Sequence, residues 1–152
     1  MLSQTVRYAF RALTCLAAQN GGRPLLAREM AERTGVPKHY LSKILQSLAR
    51  AGILTSSRGV GGGFRIARPL EEISLLAVVE QFEAAWKWDE CLLKPSACTK
   101  AQPCLLHTEW EKVLDHCKAF LRSTTLRELS AADGGKHFPA LAKKPARAQK
   151  RA

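Results

Sequence analysis

The chain has 152 residues and a formal net charge of +11, from 24 Lys and Arg against 13 Asp and Glu. That length suits one domain or two small units, the 46% apolar content is enough for a core, and no apolar run has the length of a membrane span. The cationic excess points to an anionic partner, nucleic acid first. It is unevenly spread. From Gly134 onward the chain carries Lys136, Lys143, Lys144, Arg147, Lys150 and Arg151 and no acid, so six of the eleven charges sit in a tail and +5 remains for the body. The opening "MLSQTVRYAFRAL" interrupts its apolar residues with two arginines, unlike a secretory signal. The expected location is the cytoplasm, where thiols stay reduced. The five cysteines are therefore expected as ligands, redox sensors or buried fillers rather than disulfides.

Taken in order, "SQTVRYAFRALTCLAAQ" predicts an amphipathic helix with Val6, Phe10, Leu13 and Ala17 on one face and Ser3 as cap. "NGGRP" breaks it. "LLAREMAERTG" predicts a short helix with Leu26, Met30 and Ala31 inward, ended by Gly35. "VPKHYLSKILQSLARAG" predicts a third helix, with Pro37 at its start, a buried stripe of Leu41, Ile44, Leu45 and Leu48, and Gly52 at its close. The outer face of that helix carries Lys38, His39, Ser42, Lys43, Gln46 and Arg50, all hydrogen-bond donors and none acidic.

Two strands follow, around Ile53–Ser57 and Phe64–Ala67, flanking a glycine-rich turn. Helix, short helix, tight turn, basic helix and basic-tipped hairpin is the order of a winged helix-turn-helix. Arg58 and Arg65 bracket Gly59, Gly61, Gly62 and Gly63, a loop whose backbone can approach phosphate closely. A nucleotide-type phosphate loop is excluded: no Gly-Lys-Ser/Thr ending follows, and the next element is a strand.

"LEEISLLAVVEQFEAAW" predicts a further helix with Ile73, Leu76, Val79 and Phe82 on one side. "LLHTEWEKVLDHCKAFLRST" predicts a long helix striped by Leu106, Trp110, Val113, Leu114, Cys117, Phe120 and Leu121. Little chain remains to cover it, so a second copy is the natural cover, giving a two-fold dimer. Packing back on the first helix is the alternative. "TLREL" predicts a last short turn, and the Ala/Lys/Pro-rich remainder reads as disordered.

Between these two helices lies "CLLKPSACTKAQPCLLH", residues 91–107, with Cys91, Cys98, Cys104 and His107 spaced Cys-x6-Cys-x5-Cys-x2-His. Structural zinc sites usually pair ligands two to four residues apart, and these gaps are wider. They suit an iron–sulfur cluster wrapped by a loop, while zinc and an empty thiol switch remain open on spacing alone. Cys15 and Cys117 sit in apolar helical stripes, where cysteine is often a small buried hydrophobe.

"RYAFRAL", "VPKHYLSKILQSLARAGIL", "SRGVGGGF", the three-cysteine loop, "CLLH" and "TLREL" together resemble the Rrf2 family of bacterial transcription regulators, over about residues 1 to 130. The resemblance implies a cytoplasmic homodimer that is not an enzyme and binds a roughly palindromic operator in double-stranded DNA. It further implies cluster ligands at Cys91, Cys98, Cys104 and His107. One branch of the family completes a [4Fe–4S] cluster with an acid in the first helix. The matching position here is Arg7, which favours [2Fe–2S] over [4Fe–4S]. The first cysteine gap is one residue longer than in the [2Fe–2S] branch.

The expected architecture is mainly α with a small β-hairpin wing. Residues 1–70 form a winged helix-turn-helix, 71–130 the cluster loop and dimerisation helices, and 131–152 a basic tail. Lys38, His39, Tyr40, Ser42, Lys43, Arg58, Gly59 and Arg65 are the candidate DNA contacts. The rivals are a cluster-free regulator sensing thiol oxidation or a small ligand, and a cluster carrier.

Overall fold

Ser3 opens the first helix, α1 (Gln4–Ala17), in extended backbone, and its Oγ accepts from the Val6 N–H. The computed structural model describes residues 2–19, 22–83, 98 and 102–132; Cys91 and the basic tail lie outside them. Helix α2 (Ala27–Thr34) ends on Gly35 at φ +69°, whose N–H bonds the Ala31 carbonyl. Leu26, expected inward, caps α2 and stays half exposed; it has no acceptor, and the Glu29 carboxylate takes its N–H instead. Helix α3 (Lys38–Arg50) begins after Pro37 and buries Leu41, Ile44, Leu45 and Leu48 as its periodicity predicts. It closes where the Ile53 N–H reaches back to the Leu48 carbonyl across Gly52, also at positive φ.

Strands β1 (Leu54–Ser57) and β2 (Gly63–Ile66) pair antiparallel, with Thr55 opposite Arg65 and Ser56 opposite Phe64. Leu25 adds a bridge to Phe64 through two backbone bonds, at 2.8 and 3.0 Å, which fastens the hairpin to the segment entering α2.

The segment expected as one helix from Leu70 is divided. A 3-10 turn (Leu70–Glu72) precedes extended, buried Ile73, and Ser74 then caps α4 (Leu75–Phe82) through the Ala77 N–H. Ile73 is held out of the helix because its carbonyl accepts the Leu126 N–H, while the Leu75 N–H donates to Thr124. These bonds tie the start of α4 to the end of α5 (His107–Ser123) and to α6 (Leu126–Ala132).

One apolar core links Leu13, Leu25, Leu41, Leu45, Leu48 and Ile53 with Ile73, Val78 and Leu126. Each such side chain contributes about 1.5–3 kcal/mol on full burial, so this core fixes α3 and the wing relative to α1 and α6. A second cluster joins Val6, Leu75, Leu76, Val79 and Leu121, and seats α5 on α4 and α1. Among the described residues no helix is long and apolar enough to cross a membrane.

Candidate functional site

Two arrangements stand out. The first is a groove of about 1000 Å³ between α3, the start of α2 and the wing. Arg28, Lys38, Arg50 and Arg58 line it with Gln46, Ser56 and Ser57, and no acid among the described residues does. Of the wing residues, Ser56, Ser57, Arg58 and Phe64 line it, while Thr55 and its cross-strand partner Arg65 do not. Arg58 thus shares the groove with the third helix. Arg65 lies outside it, in a hollow of about 550 Å³ with Arg23, Arg68, Glu71 and Arg127.

Lys38, His39 and Lys43 are exposed on α3. Ser42 is half-buried, and its hydroxyl donates back to the Lys38 carbonyl at 2.9 Å. Tyr40 is braced: its hydroxyl shares a 2.7 Å hydrogen bond with Thr5, and its ring meets Tyr8 edge-on with centroids 5.7 Å apart. Gly59, at the wing tip, has φ +93° and no neighbour within 4 Å of a Cβ position. The sequence reading missed Arg28. It sits in the first turn of α2, where a helix-turn-helix places donors toward the partner's backbone, and that placement was the available signal.

The second arrangement is at the start of α5. The Cys98 Sγ lies 3.3 Å from His107 Nδ1, and the Cys104 N–H donates to the same sulfur at 3.4 Å. Two donors bound to one tetrahedral metal atom at ordinary bond lengths stand about 3.6 Å apart, so the Cys98–His107 pair fits shared ligation. A backbone N–H on the sulfur is what stabilises a thiolate ligand. Among the described residues no three His, Cys, Asp or Glu side chains converge as a metal site, so the pair and the Cys104 backbone are what the structure brings together.

Cys15 is buried in the core, as expected, and burial pushes its thiol up despite the nearby Arg33. Cys117, expected as a buried filler, is exposed on α5. Its stripe is split. Only Leu114 and Leu121 are buried, and Val113 and Phe120 are about half exposed.

A family model, Rrf2, described as an iron-dependent transcriptional regulator, matches residues 2–132. The chain belongs to the Rrf2 family. It is 30% identical over 128 residues to the HTH-type transcriptional regulator IscR of Serratia proteamaculans, covering 84% of this chain and 77% of that protein. Among solved structures it is similar to T. potens IscR, with 27% identity, 93% of each chain covered and a TM-score of 0.68. It is also similar to the oxidized form of Staphylococcus aureus CymR, with 25% identity, 86% of this chain and 95% of that one covered, and a TM-score of 0.69. This Rrf2 protein is thus a DNA-binding transcription regulator of winged-helix fold, and its relatives are regulators rather than enzymes.

Proposed function

We propose that this regulator works as a homodimer on a roughly two-fold symmetric operator, with its affinity set by an iron–sulfur cluster, of [2Fe–2S] type, held by Cys91, Cys98, Cys104 and His107. The observation that carries the reading is the approach of Cys98 Sγ to His107 Nδ1, with the Cys104 N–H on the same sulfur. Likeness to proteins named IscR supports it. When bound, the cluster supplies an oxidant- and redox-sensitive cross-link between the cysteine loop and the start of α5. Lys38, His39, Tyr40, Ser42 and Lys43 meet the major groove. Arg58 and Gly59 serve the wing, Arg28 and Arg50 hold phosphates beside them, and Arg65 adds charge from the second hollow.

The test is the visible absorption and iron content of protein purified without oxygen. Coloured, iron-bearing protein is expected, with colour lost in Cys98→Ala and iron reduced in His107→Ala, while Cys15→Ala keeps both. Iron that survives loss of Cys98 would count against the assignment.

A second reading has its own observation. Cys98 and Cys104 are adjacent through the 3.4 Å backbone contact, and one similar structure is an oxidized regulator. Two thiols there can lose two hydrogens to an oxidant and form a reversible disulfide. Colourless anaerobic protein that gains a Cys98–Cys104 bond under mild peroxide, and changes DNA affinity with it, favours this reading.

A further inference from the structure

His107 is the first residue of α5, and α5 packs on α4 through Leu121 against Leu75, Leu76 and Val79. The last turn of α4 is bonded to the DNA-facing unit at two places. Gln81 Nε2 donates to the Ser47 Oγ of α3 at 2.8 Å and lies 3.4 Å from the Ser47 carbonyl. The Glu83 carboxylate accepts the Ser3 N–H at 2.6 Å. Ser3 is the cap of α1, and one turn on, Thr5 and Tyr8 hold Tyr40 in the first turn of α3. The end of α4 thus grips α3 twice, directly at Ser47 and through α1 at Tyr40. The start of α4 is pinned separately, by Leu75 to Thr124 and Ile73 to Leu126. Because α5 packs on α4 and the end of α4 is bonded to α3, a small displacement at the start of α5 can pass through α4 to the reading helix.

We propose that Gln81 and Glu83 are positioning residues that couple the state of the Cys98–Cys104–His107 site to the posture of α3. This rests on the reading of that site as the sensor. Ligation at His107 that shifts the start of α5 shifts α4, on which α5 packs. The Gln81–Ser47 bond then turns the middle of α3, and the Glu83–Ser3 bond moves the brace behind Tyr40. Neither residue lines the basic groove, so their loss alters the difference between states rather than DNA contact itself.

The experiment uses the full chain, cluster-loaded without oxygen and, in parallel, stripped by chelator. The probe is a duplex selected from random-sequence DNA by the loaded protein. The wild type is expected to show a loaded-to-stripped affinity ratio, in either direction, within the roughly 5- to 150-fold range of ordinary coupling. In Gln81→Ala and Glu83→Ala the visible spectrum and iron content stay, and the ratio falls toward one. Glu83→Gln, whose amide oxygen still accepts the Ser3 N–H, retains most of the ratio. Ser47→Ala matches Gln81→Ala, and the pair together does no more than either alone. A Gln81→Ala, Glu83→Ala double variant that keeps both its spectrum and the wild-type ratio would overturn the proposal. Should that double variant not fold, an unchanged ratio in Ser47→Ala overturns the Gln81 arm, and unchanged ratios in both Glu83 variants overturn the other. A wild type with no iron, or with a ratio of one, sinks the sensor reading itself, and the proposal with it.

Discussion

Gly63 shows how little freedom single positions in the wing have. A Cβ there would lie 2.6 Å from the Leu25 carbonyl oxygen and 2.7 Å from its carbon, and φ is +141°. Both obstacles are backbone, held by the paired Leu25–Phe64 bonds, so neither can step aside cheaply. Gly63→Ala is expected to cost about 1–3 kcal/mol, seen as a lower melting temperature, because strain of that kind is stored or relieved only by breaking the bridge. A melting temperature equal to wild type would show that the bridge yields freely. The same scale separates the two wing arginines. Sequence alone gave Arg58 and Arg65 one role, since both flank the glycines. Only the folded structure separates them, with Arg58 in the groove beside α3 and Arg65 in the second hollow. Arg58→Ala is accordingly expected to weaken operator binding more than Arg65→Ala does, measured by titration at one fixed salt concentration, because both lose a charge but only Arg58 shares the groove with α3. Equal losses would mean that the wing contributes charge and no geometry.

Helix α6 carries a reciprocal cap readable in "TLRE". The Glu128 carboxylate accepts the Thr125 N–H at 2.7 Å and the Thr125 hydroxyl at 2.9 Å, and the Glu128 N–H returns a 3.4 Å bond to that hydroxyl. The Thr125 backbone N–H, and then its hydroxyl, hold the Glu128 carboxyl below the usual carboxylate value of 4.5. A depressed value in the folded state gives stability that is present above the unfolded value and lost as pH falls through the folded one. Glu128→Gln should therefore lower the melting temperature at neutral pH and converge with wild type as the pH drops below about 4. A difference that stays constant with pH would rule out the carboxylate as the source. Local signals of this kind made α1, α3 and the chain reversal at Gly35 legible, since caps and apolar spacing act within a few residues. The break before α4 was hidden because it comes from Ile73 and Leu75 bonding to Leu126 and Thr124, some fifty residues on. For the same reason nothing in the sequence announced Glu83 beside Ser3, or Gln81 beside Ser47. The candidate site was legible as residue types and spacing. Its Cys98–His107 approach depends on how the loop meets α5, which spacing does not specify.

At the scale of the molecule, α5 has two apolar faces, and the described residues cover only one. Leu114 and Leu121, seven residues apart, are buried, and Leu121 packs in the cluster that joins α4 and α1. Leu106, Trp110, Val113, Cys117 and Phe120 recur at alternating steps of four and three, the spacing of a coiled-coil seam. Of these Leu106, Val113, Cys117 and Phe120 are exposed, with Phe120 at 57%. An apolar stripe of this length on an isolated chain marks an interaction surface, and self-pairing about a two-fold axis lets one stripe satisfy another. The pairing proposed above would also have a functional consequence. Two linked winged helices bind two half-sites with an avidity that can exceed a single unit's by roughly 10²- to 10⁴-fold. Placing aspartate at Val113 and Phe120 together should leave each chain folded, since neither side chain belongs to the core, yet convert the dimer to monomer in sedimentation at micromolar concentration. Operator affinity should then fall by at least about 100-fold while binding to a single half-site is nearly unchanged. Leu121→Asp is the contrasting variant: it buries a charge against Val6 and Leu76 and should unfold the helix pair instead. If the Val113, Phe120 variant still sediments as a dimer, the pairing surface lies elsewhere and the exposed face of α5 needs another occupant. If it is monomeric but binds the full operator as tightly as wild type, the dimer does not act through two half-sites.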